Sequence, residues 1–311
     1  MAYTKEEFKQ LVDDIQSQSW YKNPIGFGIA KVDRGQINKD KILQATFPLI
    51  NWNENFGSAA VLLNALKVAG VDVDTSKSEL VCKISDEFLT SCIEAFRPFI
   101  PEAKGDAHKN VQVISTLASL PIDSGLSADD YRVVFIFEDV TPESTEAVYL
   151  KLYALSTGKA ALRSLNLTGA FGKLHNCAWV GNQPIELDWL RANEIVLKLS
   201  GKYPNIDMVD KFPRFLQHII PADNTRILET SKVRMGAQLA AGTTVMPGAA
   251  YVNFNAGTLG AVMVEGRISS SAVVGAGSDV GGGASILGVL SGTDGVPVSI
   301  GENTLLGANS C

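Results

Sequence analysis

From Ile227 to the end of the chain, large aliphatic residues recur every six positions. One run is Ile227, Val233, Leu239 and Val245. A second is Val262, Ile268, Val274, Val280 and Ile286, and Ile300 and Leu306 follow after a longer gap. Four places after most of them stands a small residue, as at Ser231, Ala237, Thr243, Ala272, Ser278, Ala284 and Ser310. A period of six is neither helical nor strand alternation. It marks a parallel β-helix built from hexapeptides. Each hexapeptide supplies a short strand and a turn, and three close a triangular coil. The aliphatic side chain points inward and stacks on its equivalent one coil away. Small residues sit near corners, where Gly also supplies turns with positive φ. A disordered glycine-rich tail would not keep β-branched residues in step in this way.

The rhythm breaks twice. The step from Val245 to Val262 falls one position short of three repeats. The step from Ile286 to Ile300 exceeds two repeats by two positions, and the extra residues fall in Ser291-Gly292-Thr293-Asp294-Gly295, a loop composition. Interruptions in a solenoid are where loops and function collect.

Upstream, the periods are those of ordinary globular packing. Thr4-Lys5-Glu6-Glu7 is a capping box that opens a helix with Phe8, Leu11, Val12 and Ile15 on one face. Residues 57–69 read as a helix ending at Gly70, residues 80–83 as a strand, and Ser85 as the cap of a helix carrying Phe88, Cys92 and Phe96. Pro98, Pro101 and Gly105 mark a boundary. Residues 111–118 and 131–137 look like strands. Thr141-Pro142 reads as an N-cap and first helical position, opening a helix to about Ser156. Segments 161–167 and 178–180 follow, then a helix over 187–199 and a proline-spaced link through Pro204, Pro213 and Pro221. The expected organisation is an α/β domain over 1–104, a second α/β segment and linker over 105–224, and the β-helix over 225–311.

Composition narrows the function classes. The 311 residues are 46% hydrophobic, ample for packed cores, and the net charge is −6 with no basic stripe, which disfavours nucleic acid as a partner. No apolar run approaches the ~18 residues that span a bilayer. The polar start, 1–14, is no secretory signal. The expected compartment is the cytoplasm. Cys82, Cys92, Cys177 and Cys311 lack metal-ligand spacing and read as reduced thiols. Gly26 and Gly28 invite a dinucleotide reading, but no third glycine and no capped helix follow.

Hexapeptide prisms in enzymes are mostly acyl-transferring, and many use a histidine base. Here His108, His175 and His218 all lie outside the coils. A proton-handling group on the prism must then be one of Glu229, Glu265, Asp279, Asp294 or Glu302. Asp279 and Glu302 occupy regular coil positions and Asp294 the loop. Glu265 stands just after the slipped register, with Arg267 two residues on. It reads either as a surface Glu–Arg pair or as a carboxylate whose pKa is raised in a partly dry cleft between subunits.

The stretches Val252-Asn253-Phe254-Asn255-Ala256-Gly257-Thr258-Leu259-Gly260, Met263-Val264-Glu265-Gly266-Arg267-Ile268, residues 275–286 and residues 305–310 closely resemble tetrahydrodipicolinate N-succinyltransferases. The resemblance covers nearly all of the last quarter of the chain. It implies an α/β portion followed by a left-handed parallel β-helix, assembled as a homotrimer with sites between subunits. It implies succinyl transfer from succinyl-CoA, a co-substrate rather than a bound cofactor, to the amine of L-2-amino-6-oxopimelate, the opened form of tetrahydrodipicolinate, on the route to diaminopimelate and lysine. The family's catalytic glutamate matches Glu265, its oxyanion-stabilising backbone N–H matches Gly288, and its succinyl-CoA contacts match Arg267, Gly282, Ser285 and Ala308. Of the roles described for that glutamate, proton handling is favoured over an acyl-anhydride, because a carboxylate is a weak nucleophile toward a thioester beside a free amine. Where some relatives bind magnesium on the trimer axis, this chain has Ser231 and Gly248, so no such metal site is expected. The family also continues past the position of Cys311, so the prism is expected to be incomplete there. Two other readings stay open: another acyl-CoA-dependent N-acyltransferase, for example acetyl-specific, and a non-catalytic β-helix scaffold.

Overall fold

The computed structural model describes residues 4–120, 128–289 and 295–311. The chain divides into two compact units, Met1–Leu150 with Thr168–Lys173, and Lys151–Leu167 with Leu174–Cys311.

In the first unit, α1 (Lys5–Gln16) opens on the expected capping box. The Glu7 N–H donates to Thr4 Oγ1 at 3.1 Å, and the Thr4 N–H donates to the Glu7 carboxylate at 3.0 Å. Next come β1 (Gly26–Arg34), β2 (Ile42–Thr46), β3 (Ile50–Trp52), α2 (Phe56–Val68), β4 (Glu79–Lys83), α3 (Asp86–Phe96), α4 (Lys109–Ser119) and β5 (Tyr131–Ile136). The sheet is antiparallel in the order β2-β1-β5-β4, with β3 also pairing β1. Alternate residues Phe27 and Ile29 of β1 and Val133 and Phe135 of β5 share one core with α2, with Phe88, Cys92 and Phe96 of α3, and with Val111 and Ile114 of α4. The glycines of β1 serve packing. A Cβ on Gly28 would lie 2.8 Å from the Leu49 carbonyl oxygen, and one on Gly26 would lie 2.5 Å from the Trp52 ring.

Two elements differ from the sequence reading. Residues 111–118 belong to helix α4, not to a strand. The β-branched Val111, Val113 and Ile114 suggest a strand, but the buried positions Val111 and Ile114 are three apart, with Leu117 next in step, which is helical spacing. Helix α5 (Thr145–Ser156) starts later than Thr141-Pro142, because Ser144 is the residue whose hydroxyl accepts an early N–H, that of Ala147, at 3.0 Å. Helix α6 (Ala170–Lys173) completes the first unit.

In the second unit, β6 (Cys177–Val180), β7 (Gln183–Glu186) and β8 (Met208–Asp210) form an antiparallel sheet, joined through α7 (Leu187–Leu199). Trp179 is fully buried at its centre and donates Nε1–H to the Asp210 carbonyl at 2.9 Å. Segment 161–167 is neither helix nor strand.

The rest of the unit is the parallel β-solenoid. Its strands are two residues long: β9 (Arg226–Ile227), β10 (Thr244–Val245), β11 (Tyr251–Val252), β12 (Gly257–Thr258), β13 (Met263–Val264), β14 (Arg267–Ile268), β15 (Val273–Val274), β16 (Asp279–Val280), β17 (Ser285–Ile286), β18 (Ser299–Ile300) and β19 (Leu305–Leu306). One wall stacks β9, β10, β13, β16 and β19; a second stacks β11, β14 and β17; a third stacks β12, β15 and β18. The inward residues are Ile227, Val245, Val264, Val280 and Leu306 on the first wall, with Val252, Ile268 and Ile286 on the second and Thr258, Val274 and Ile300 on the third. The six-residue period therefore holds, but Val262 does not carry it. Val264 pairs with Val245 and Val280, and Val262, also buried, sits two residues before it.

Both interruptions resolve in this register. The step from Val245 to Val252 is seven residues and the step from Val264 to Ile268 only four. One residue gained and two lost leave the count one short by Ile268. The second interruption joins Ile286 on the second wall to Ile300 on the third, and is the long corner of the solenoid. Of the extra loop residues read from the sequence, 291–294 lie outside the described residues.

Candidate active site

The four-residue step makes the corner after β13 two residues shorter than the corner after β16. The other corners at this edge each carry a left-handed residue: Gly248 (φ 78°), Gly283 (φ 75°) and Asn309 (φ 60°). The short corner has none. It consists of Glu265 and Gly266, whose N–H groups both donate to the Val280 carbonyl, at 2.9 and 3.1 Å. A Cβ on Gly266 would lie 2.4 Å from the Ala284 oxygen and 2.8 Å from the Gly281 oxygen, so only glycine fits so tight a path.

Glu265 projects from this corner and is exposed on the single chain. Its carboxylate lies against Gly282, one coil on; a Cβ there would stand 3.6 Å from Glu265 Oε2. Gly282 in turn accepts the Asn309 N–H at 3.0 Å, which stacks the Ala308 corner above it. On the adjoining wall Arg267 pairs with Ser285 across the ladder, and Arg267 Nε donates to Ser285 Oγ at 2.6 Å. Glu265, Gly282 and Ala308 thus share one edge, and Arg267 and Ser285 begin the next wall beside it.

Gly288 lies at the other end of that wall, where the long corner begins. It is buried, and a Cβ on it would fall 1.9 Å from the Ser270 oxygen. Its carbonyl accepts the Val298 N–H at 2.9 Å. Among the described residues its own N–H has no hydrogen-bond partner, the condition a backbone donor needs in order to serve a ligand oxygen.

Beside the same wall stands a basic cluster that the sequence reading did not single out. Asp210 pairs with Arg214 at 2.8 Å and with Arg234 at 2.9 Å, leaving one positive charge in excess. Arg234 stacks over Phe212 at 5.3 Å and reaches Asn253 at 3.3 Å. Tyr251, the ladder partner of Arg267, has its pKa raised by burial, with Arg234 and Arg214 opposing the rise. The cluster suits anionic groups. No signal in the sequence unites it, because Asp210, Arg214 and Arg234 meet only when β8 and the first coil pack.

Two family profiles match the chain. The one described as tetrahydrodipicolinate N-succinyltransferase N-terminal matches residues 6–172, and the one described as tetrahydrodipicolinate N-succinyltransferase middle matches residues 174–214. The chain belongs to the tetrahydrodipicolinate N-succinyltransferase family. The 2,3,4,5-tetrahydropyridine-2,6-dicarboxylate N-succinyltransferase of Sulfurovum sp. (strain NBC37-1) is 70% identical over 305 residues, which are 98% of this chain and 76% of that protein. The enzyme of the same name from a Nitratiruptor species is 67% identical over 310 residues, 100% of this chain and 78% of that protein. A crystal structure from Campylobacter jejuni, described as a 2,3,4,5-tetrahydropyridine-2-carboxylate N-succinyltransferase, matches with a TM-score of 0.94 at 58% identity, over 99% of this chain and 79% of that one. The profiles fall on the part of the chain ahead of Phe215, where motif reading found no chemistry. The motifs quoted from the sequence fall on the prism. The two lines of evidence therefore come from different parts of the chain. Among the described residues, no helix is long and apolar enough to cross a membrane, and no His, Cys, Asp or Glu cluster could hold a metal.

Proposed function

We propose that the protein transfers succinyl from succinyl-CoA to the amine of L-2-amino-6-oxopimelate, the opened form of tetrahydrodipicolinate, in diaminopimelate and lysine biosynthesis. The supporting observation is similarity to enzymes of that name along nearly the whole of this chain, 70% identity over 305 residues in one case. The prism geometry supplies roles. The amine nitrogen attacks the thioester carbonyl, Glu265 takes the proton the nitrogen sheds, and the tetrahedral oxyanion is met by the Gly288 N–H. Collapse expels the CoA thiolate, which takes up the proton held by Glu265, and an amide remains. Arg267, held by Ser285, is placed to pair with a carboxylate of succinyl or acceptor. Gly282 and Ala308, without bulky side chains, leave room for the pantetheine arm along the corner edge.

Glu265 is exposed on a single chain, so a partner is part of the proposal: a homotrimer in which a neighbouring prism closes over the corner and dries the carboxylate, raising its proton affinity. Exposed Ile220, Leu228 and Leu259 in the second unit supply apolar surface for such packing. The proposed compartment is the cytoplasm, where succinyl-CoA is made. The test is release of CoA thiol from succinyl-CoA with tetrahydrodipicolinate present, against acetyl-CoA as competitor. Faster turnover with acetyl-CoA would replace the succinyl assignment, and no turnover with either would leave a scaffold.

A further inference from the structure

The long corner between Ile286 and Ile300 is tied down from outside the solenoid by one residue. Arg163 lies in segment 161–167 of the same unit. Its backbone N–H donates to Asn255 Oδ1 at 2.9 Å. Its Nε donates to the Ser271 carbonyl at 2.6 Å and its Nη1 to Ser299 Oγ at 2.8 Å, and its Nη2 donates to the Val298 carbonyl. One arginine thus engages three successive levels of the solenoid. Asn255 (φ 55°) and Ser271 (φ 64°) are the left-handed corner residues of two of them, and Asn255 Nδ2 also donates to Ser271 Oγ at 3.3 Å.

Arg163 itself has φ 67°, an uncommon conformation for a residue with a side chain, and one held in place only by strong surroundings. Those surroundings exist. The Ser164 N–H and hydroxyl both bond the Ala161 carbonyl, at 3.2 and 2.7 Å. Lys151, 1% exposed, donates Nζ–H to the Asn166 carbonyl at 2.8 Å. Burial lowers the pKa of Arg163 from its ordinary value, a cost that the three hydrogen bonds of its guanidinium offset.

Val298 is where this staple meets the site. Its carbonyl takes the Arg163 Nη2–H and also the Val273 N–H at 3.2 Å, while its N–H bonds the Gly288 carbonyl at 2.9 Å. Two bonds in series therefore run from the guanidinium to the carbonyl of Gly288, the residue whose N–H carries the proposed oxyanion-donor role. We propose that Arg163 is a positioning residue for acyl transfer. It fixes the return leg of the long corner, and through Val298 it sets where Gly288 stands. The inference rests on the succinyltransferase reading above, because the long corner has a catalytic purpose only there.

The full chain carrying Arg163→Ala is compared with wild type and with Arg163→Lys. Arg163→Ala lowers kcat about tenfold per folded molecule while KM for the acceptor stays within twofold, since a misplaced oxyanion donor weakens the transition state and not the ground-state complex. Added guanidinium ion restores part of the loss in Arg163→Ala, and none in an Arg267→Ala control, whose partner Ser285 lies elsewhere. Amide exchange at Val298 rises in the variant; this readout needs no substrate and so stands even if the assigned reaction is wrong. If Arg163→Ala does not fold, Arg163→Lys carries the test through the same kcat and exchange readouts. Unchanged kcat per folded molecule, or a loss without faster exchange at Val298, overturns the proposal. Wild-type protein without succinyl transfer overturns the function reading instead.

Discussion

The shortest and the longest corner of the solenoid solve opposite problems. At the short corner two residues have been removed, and the ladder closes over the gap unaided: Glu265 and Gly266 share the Val280 carbonyl, and Arg267 N–H reaches Ala284 at 2.8 Å. At the long corner eight residues have been added to a six-residue step, and the ladder alone does not organise the return. An antiparallel bridge between Val289 and Pro297 and the Arg163 hydrogen bonds supply what is missing. A deletion in a repeat protein can be held by the repeats on either side. An insertion brings backbone groups with no partner one coil away, so it borrows them from elsewhere in the chain. The carboxylate proposed to handle the proton stands on the self-sufficient corner, and the proposed oxyanion donor at the base of the borrowed one.

This contrast can be broken in graded steps. The largest effect on folding is expected from Gly266→Ala. The added Cβ meets two backbone oxygens inside 3 Å, and neither belongs to a side chain that can swing away. A loss of about 3 kcal/mol is expected by urea unfolding, and a loss under ~1 kcal/mol would show the short corner to be looser than described.

Acid comes next, and acts on the foundation of the long corner. His218 is buried against the Tyr153 hydroxyl, its Nδ1 at 2.8 Å, and burial pushes its pKa down to about 4. Helix α5 carries both Tyr153 and Lys151, which holds the Arg163 segment. The folded state keeps His218 neutral while the unfolded chain takes a proton near pH 6.5, so stability is full above pH 6.5 and is lost as the pH falls toward 4. The loss reaches about 3 kcal/mol at the end of that window. Unfolding free energies at pH 7 and pH 5 check it, and a His218→Gln chain should show a flatter slope between them.

Arg163→Ala ranks third, with its tenfold effect on kcat. The smallest change is expected from Ser285→Ala, which removes one hydrogen bond to Arg267 worth about 1 kcal/mol. KM for succinyl-CoA should rise a few-fold with kcat little changed, measured by initial rates. A change in kcat alone would move Arg267 from binding to chemistry.

Much of this was legible in the sequence, and the misreadings have physical causes. The inward rows follow from the six-residue period, because stacking rewards identical positions. The short corner does not, because Val262 and Val264 are both buried aliphatics two apart and either can be taken for the row. Only the pairing of Val264 with Val245 and Val280 decides. Helix α4 was masked by β-branched residues whose burial follows a helical step. The motif Val264-Glu265-Gly266-Arg267-Ile268 drew attention to Glu265 and Arg267 before the pairing revealed why a carboxylate there is unusual. Arg163 gave no signal: a lone arginine among alternating apolar residues carries no sign that its backbone is left-handed or that its partners lie 92 to 136 residues away.

The central claim is that the carboxylate on the shortened corner handles the proton of the attacking amine. Replacing Glu265 with Gln keeps its size and its place beside Gly282 while removing the base, and initial rates of CoA release with succinyl-CoA and tetrahydrodipicolinate read the consequence. A fall in kcat of about a hundredfold or more, with KM for succinyl-CoA little altered and the fold intact, is the predicted result. Turnover within twofold of wild type would contradict it.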